Sequence, residues 1–131
     1  MNRQPLVLKS GSGESMTVLG AQLSFLCTAD STGKAWSLMS ATLPPDAGPP
    51  PHHHPWDEAY YVIEGEVMFS IDGRDQSVGA GDFIYAPAGA VHGFKGTSQQ
   101  PARMLIFDAP AHAESFFREI ARSVRGPQDM A

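Results

Sequence analysis

The chain carries a single cysteine, Cys27, so no internal disulfide can form and a thiolate metal site is excluded. Long apolar runs are missing as well. No stretch is long enough to span a bilayer, and no apolar run behind Met1-Asn2-Arg3-Gln4-Pro5 serves as a signal sequence. The expectation is a cytoplasmic protein with no membrane partner. Basic residues are few and scattered, 9 Lys and Arg against 14 Asp and Glu, for a net charge of -5. Without a basic face, nucleic acid is not an expected partner. A small molecule or a second copy of the chain is. Repeats, low-complexity tracts and linkers are absent, and 131 residues suffice for one core but not two. Residues 1–131 are therefore read as one domain.

Glycine and proline are plentiful, at 13 and 11 residues, and they punctuate short apolar runs throughout. That pattern predicts an all-β domain. Strands are expected over Leu6 to Leu8, Gln22 to Cys27 after a turn at Gly20, and Trp36 to Leu43, which ends at Pro44-Pro45. Glu58 to Glu64 and Glu66 to Ile71 flank Gly65 and read as a strand pair. Asp72-Gly73 turns the chain into Arg74 to Val78. Phe83 to Ala86, Val91 to Lys95 and Arg103 to Asp108 complete roughly eight to ten strands, as in a jelly-roll barrel. Ala111 to Val124 departs from this, with Phe116, Phe117, Ile120 and Val124 at helical spacing. It predicts a C-terminal amphipathic helix, stopped near Gly126-Pro127, whose apolar stripe caps the barrel. Met39, Phe69, Phe83 and Tyr85 are expected in the core, with Cys27 as a small buried hydrophobe.

The chemistry concentrates in His52-His53-His54-Pro55-Trp56-Asp57-Glu58 and in Pro87-Ala88-Gly89-Ala90-Val91-His92. On an extended strand, residues of one parity face one side, so His52, His54 and Glu58 can point inward together. His53 and Asp57 then point outward. The neighbouring prolines stiffen the first run, and the Pro-Xaa-Gly turn lets His92 add a third imidazole from across the barrel. Nitrogen and oxygen donors without sulfur suit one divalent transition metal, Fe, Mn, Ni, Co, Cu or Zn. Trp56 shares the ligand parity and is placed to shield the metal. Tyr60 and Val62 share it too: Tyr60 is a candidate for orienting substrate, whereas Val62 reads as core. Phe94, in parity with His92, is expected to wall the pocket. His112 reads as a surface residue.

These motifs resemble those of the cupins. The family's first motif runs Gly, His-Xaa-His, Glu, Gly, and here His52, His54, Glu58 and Gly65 fall in register. Its second runs Gly, Pro-Xaa-Gly, His, Asn, matched by Gly81, Pro87, Gly89 and His92. The motifs lie at about residues 46–65 and 81–96, followed by the helix at about 111–124. Asp46 stands where the family has its opening Gly, and Gly96 where it has its closing Asn. The resemblance implies a single-domain double-stranded β-helix with a C-terminal α-helix, in which His52, His54, Glu58 and His92 hold the metal. Gly48-Pro49-Pro50-Pro51 and Glu58-Ala59-Tyr60-Tyr61-Val62-Ile63-Glu64-Gly65 are similar to small quercetinase-like cupins. That likeness implies a dioxygenase acting on a small aromatic or enolic, flavonol-like substrate, with Glu58 as ligand and general base. A metal-dependent isomerase, cyclase or lyase, and a non-catalytic small-molecule-binding protein, are the alternatives. The exposed barrel edges are expected to support a homodimer.

Overall fold

The computed structural model describes residues 3–123. Among the described residues the alternating apolar pattern gives nine strands: β1 (Ser15–Val18), β2 (Ala21–Cys27), β3 (Ser37–Leu43), β4 (Asp57–Glu64), β5 (Glu66–Ile71), β6 (Arg74–Gly79), β7 (Phe83–Ala86), β8 (His92–Gly96) and β9 (Ala102–Ala109). One helix, α1 (Ala113–Ser123), follows them. The strands form a six-stranded sheet in the order β1-β2-β3-β9-β4-β7 and a three-stranded sheet in the order β6-β5-β8. The two sheets enclose one core, in which Leu23, Met39, Leu43, Tyr60, Val62, Phe69, Met104 and Ile106 are buried. Every second residue is buried along β3 and β9, and along β4 as far as Val62, the signature of strands with one face on the core. Among the described residues no helix is long and apolar enough to cross a membrane.

Several expectations need correction. Leu6 to Leu8 form no strand, and their side chains are largely exposed. The strands flanking Gly65 do not pair: β4 lies between β9 and β7, whereas β5 pairs with β6 and β8. One intervening residue cannot reverse the chain, since even tight hairpin loops take two. The chain instead crosses between sheets at Gly65, whose φ of +80° suits glycine. A Cβ there would also lie 2.7 Å from Ala102 Cα. Phe83 and Tyr85 are exposed, because the alternation along edge strand β7 turns Ile84 and Ala86 inward instead. Cys27 is half-buried rather than buried. In α1 the stripe holds as far as it is described: Phe117 and Ile120 are buried against the core. Val124 and the stop at Gly126-Pro127 lie outside the described residues.

Both departures from the cupin pattern have a local cause. Asp46 has a φ of +68°, the left-handed conformation that glycine, or more rarely aspartate, adopts. At Gly96 a Cβ would lie 2.6 Å from the carbonyl oxygens of both Leu43 and Pro44, so no larger residue fits.

Candidate metal centre

His52 lies outside β4 but pairs with His92 through two backbone hydrogen bonds of 2.8 Å, and the chain then bends at Pro55 and Trp56 before β4 begins. This bridge brings the two histidine runs together. His52, His54 and His92 each offer a ring nitrogen, and the three atoms lie within 4.8 Å of one another. Parity holds for their neighbours: His53 and Asp57 are exposed, and Asp57 accepts a 2.9 Å hydrogen bond from Ala88 N. Glu58 is 2% exposed at the start of β4. Its Oε2 lies 3.3 Å from His54 Nε2 and its Oε1 3.4 Å from His92 Nε2.

The orientation of the rings is set from behind. His52 Nδ1 lies 2.9 Å from Pro50 O, His92 Nδ1 2.9 Å from Ala90 O, and His54 Nδ1 3.3 Å from Trp56 O. A carbonyl oxygen only accepts, so each Nδ1 carries the hydrogen and each neutral ring turns an Nε2 lone pair toward the others. His54 Nε2 is buried without a hydrogen-bond partner among the described residues. Lone pairs facing lone pairs and a carboxylate require a cation between them. The donor set therefore fits a metal ion.

The titration behaviour agrees with that demand. Burial lowers the His52 pKa to about 4, against the opposing pull of the Pro50 carbonyl. Burial also works against charge on His92, but its bond to Glu58 outweighs this and raises its pKa. Burial alone would raise Glu58, yet His54 and His92, with Tyr60, hold its carboxyl well below the usual range. Without a metal, a proton is the cation that Glu58 and His92 share.

Two donors fix the carboxylate. Trp56 Nε1 donates to Glu58 Oε2 at 3.0 Å, and the Tyr60 hydroxyl donates a short bond to Oε1. Tyr60 is fully engaged this way; burial, and then the charge of Glu58, raise its pKa well above the ordinary phenol value. Phe94 packs edge-on against Tyr60, with ring centroids 5.6 Å apart. Trp56, in the bend after His54, stacks on its ring at 3.9 Å and 3° between planes.

Three features add to what the sequence led us to expect. Phe116, on the first turn of α1, stacks on His52 at 5.1 Å and closes the barrel end together with Trp56. His112 is exposed, but its ring lies 5.3 Å from Trp56, so it belongs to the rim of this roof. Asp108 is completely buried at the end of β9. Its Oδ2 accepts 2.7 Å bonds from His112 N and Ala113 N, and its Oδ1 accepts a short bond from the Ser37 hydroxyl. Burial raises its pKa, and those three donors oppose the rise. An aspartate placed this far ahead of a helix falls outside the usual capping window, so the sequence carried no signal for it.

Residues 39–108 match the family described as Cupin domain. Quercetin 2,3-dioxygenase of Bacillus subtilis (strain 168) is 29% identical over 124 residues, which are 93% of this chain and 36% of that protein. Acireductone dioxygenase of Rhodopseudomonas palustris (strain TIE-1) is 41% identical over 68 residues, 49% of this chain and 41% of that protein. The chain thus spans well under half the length of these relatives. An RmlC-like cupin from Shewanella frigidimarina NCIMB 400 superposes with a TM-score of 0.73 at 19% identity, covering 88% of this chain and 99% of that one. At that identity the likeness concerns the fold.

Proposed function

Because the chain belongs to the cupin family, we propose that it is a metal-dependent dioxygenase acting on a small aromatic or enolic substrate. One observation carries this reading: three imidazoles, each anchored through Nδ1 to a backbone carbonyl, turn Nε2 toward a common centre beside Glu58. His52, His54 and His92 would hold a divalent transition metal, with Glu58 as the fourth ligand. Such an ion supplies Lewis acidity and, where redox-active, electron transfer to or from dioxygen. The likenesses to a quercetin and an acireductone dioxygenase favour dioxygen as cosubstrate.

Glu58 is the group to take the enol proton of the substrate. Trp56 and Tyr60 hold its carboxylate in one orientation, which reduces the reorganisation needed when the proton moves. Trp56 and Phe116 exclude water from the imidazole face. A homodimer is the matching assembly. Tyr61 and Phe107 are exposed on the outer face of the larger sheet, apolar surface that a second copy would cover.

The test is elemental analysis of untagged protein, followed by oxygen uptake over flavonols, enols and diketones. Uptake should require both metal and substrate and should vanish in His92→Ala. Turnover of the same compounds under strict anaerobiosis would instead identify a metal-dependent isomerase, cyclase or lyase. Tight binding with no product under any metal would identify a binding protein.

A further inference from the structure

We infer that ligands reach the metal centre through the seam between β6 and β7, where Arg74 receives an anionic group on a planar molecule; this rests on the metal-centre reading above. The strands β6 and β7 are the facing edges of the two sheets and do not pair with each other. Between them lies a cavity of about 370 Å³, lined from β5 and β6 by Phe69, Ile71, Arg74 and Gln76 and from β7 by the inward Ile84 and the exposed Phe83 and Tyr85.

Register shows which way these residues face. Arg74 is the cross-strand partner of Ile71, and Gln76 that of Phe69. Cross-strand partners share a face, and Phe69 is buried in the core, so Arg74 and Gln76 stand on the concave, inner side. They are nevertheless exposed. A strand's inner face ordinarily carries apolar residues, and here it carries an arginine and an amide beside an opening. Arginine ion pairs among the described residues belong to Arg103, Arg118 and Arg122, so the Arg74 guanidinium has no carboxylate partner there.

The inner wall of this cavity adjoins the metal centre. Ile71 is the register partner of His92, and Ile84 is that of Tyr60, which donates to Glu58. From the α1 side the imidazoles are covered by Trp56 and Phe116.

The lining defines the ligand. A volume at the lower end of small-molecule sites takes one ring or two small ones. Apolar walls from Phe69, Ile71 and Ile84 suit the faces of a ring, and a guanidinium fork suits a carboxylate or an enolate oxygen. The ligand class is therefore a small aromatic or enolic acid, with its anionic group at Arg74 and its reacting end toward His92 and Glu58. An inward charge on an edge strand can also serve merely to discourage association of sheet edges. That role predicts different behaviour.

The experiment titrates the full chain, loaded with cobalt(II), with salicylate and with phenol, following calorimetric affinity and the visible cobalt spectrum. Salicylate should bind at least tenfold more tightly than phenol and should shift the cobalt bands. Arg74→Gln should bring salicylate down to the phenol level with cobalt content unchanged. Gln76→Trp, which narrows the seam from an exposed position, should weaken both ligands at least tenfold. Parental salicylate affinity in Arg74→Gln and Gln76→Trp would overturn the inference, all the more if Arg74→Gln associates on a sizing column as edge protection predicts. A salicylate association rate raised tenfold by Phe116→Ala and untouched by Gln76→Trp would place access at the α1 end and overturn it equally. Should the chain take up no cobalt, the metal reading falls, while Arg74-dependent affinity for salicylate still decides the seam.

Discussion

Replacing Asp108 by alanine should cost the protein about 3 kcal/mol of stability, a large part of the ~5–15 kcal/mol typical of a domain. The carboxylate accepts from three groups: the Ser37 hydroxyl and the amides of His112 and Ala113. Losing a helix cap costs about 1 kcal/mol, and a buried donor left without an acceptor about 1–3 kcal/mol. Simple addition over three donors would give roughly 6 kcal/mol. Burial, however, raises the pKa of Asp108 despite its three donors. Dehydration of the carboxylate therefore takes back part of what its bonds return, and removing it recovers that part. An asparagine in its place would keep one acceptor oxygen while turning an amide N–H toward another donor, so Asp108→Asn should cost about half as much as alanine. Urea unfolding followed by tryptophan fluorescence measures both, with the dependence on denaturant unchanged. The substitution also reaches the site. Asp108 holds the start of α1, and α1 carries Phe116 onto His52, so Asp108→Ala should weaken cobalt binding without touching a ligand. A loss below about 1 kcal/mol for alanine, or an asparagine variant as stable as the parent, would refute this reasoning.

Three further outcomes are expected. His54→Ala and His92→Ala should each lose most bound metal and keep a cooperative unfolding transition, whereas His53→Ala should keep its metal; equal metal content by elemental analysis in parent and His92→Ala would remove the ligand assignment. Burial depresses the His52 pKa from 6.5 to about 4, so the unfolded chain takes up that proton first and the metal-free protein loses stability as pH falls across this window. The loss is at most ~3 kcal/mol, and His92, shifted upward, acts in the opposite direction; His52→Gln should flatten the acid limb of a urea-midpoint profile, and an unchanged slope would count against it. Gly96→Asn, which would restore the family's usual residue, should destabilise by ~2 kcal/mol or more through overpacking, because two carbonyl oxygens lie 2.6 Å from where its Cβ must go. Thermal melts of that variant and of Gly96→Ala provide the check.

Much of the site was legible along the chain. The two-residue alternation separated His52, His54 and Glu58 from His53 and Asp57, since parity on an extended chain is a local property. Strand positions were also readable where turns were explicit, as at Asp72-Gly73. Pairing was less so. The strands on either side of Gly65 look like a hairpin by sequence proximity but belong to different sheets. Phe83 and Tyr85 looked like core by residue type alone, yet the register of β7 against β4 turned them to solvent.

By itself, then, the sequence determined the donor types, their parity and the alternation that makes a β domain, because each depends on neighbours a few residues away. Tertiary structure decided the rest. It set the tautomer of each imidazole through backbone carbonyls, tied α1 to the barrel through Asp108, and left Arg74 on an inner face that no strand covers. Those outcomes depend on which distant segments meet, and that follows from loop closure and packing across the whole domain rather than from any local pattern.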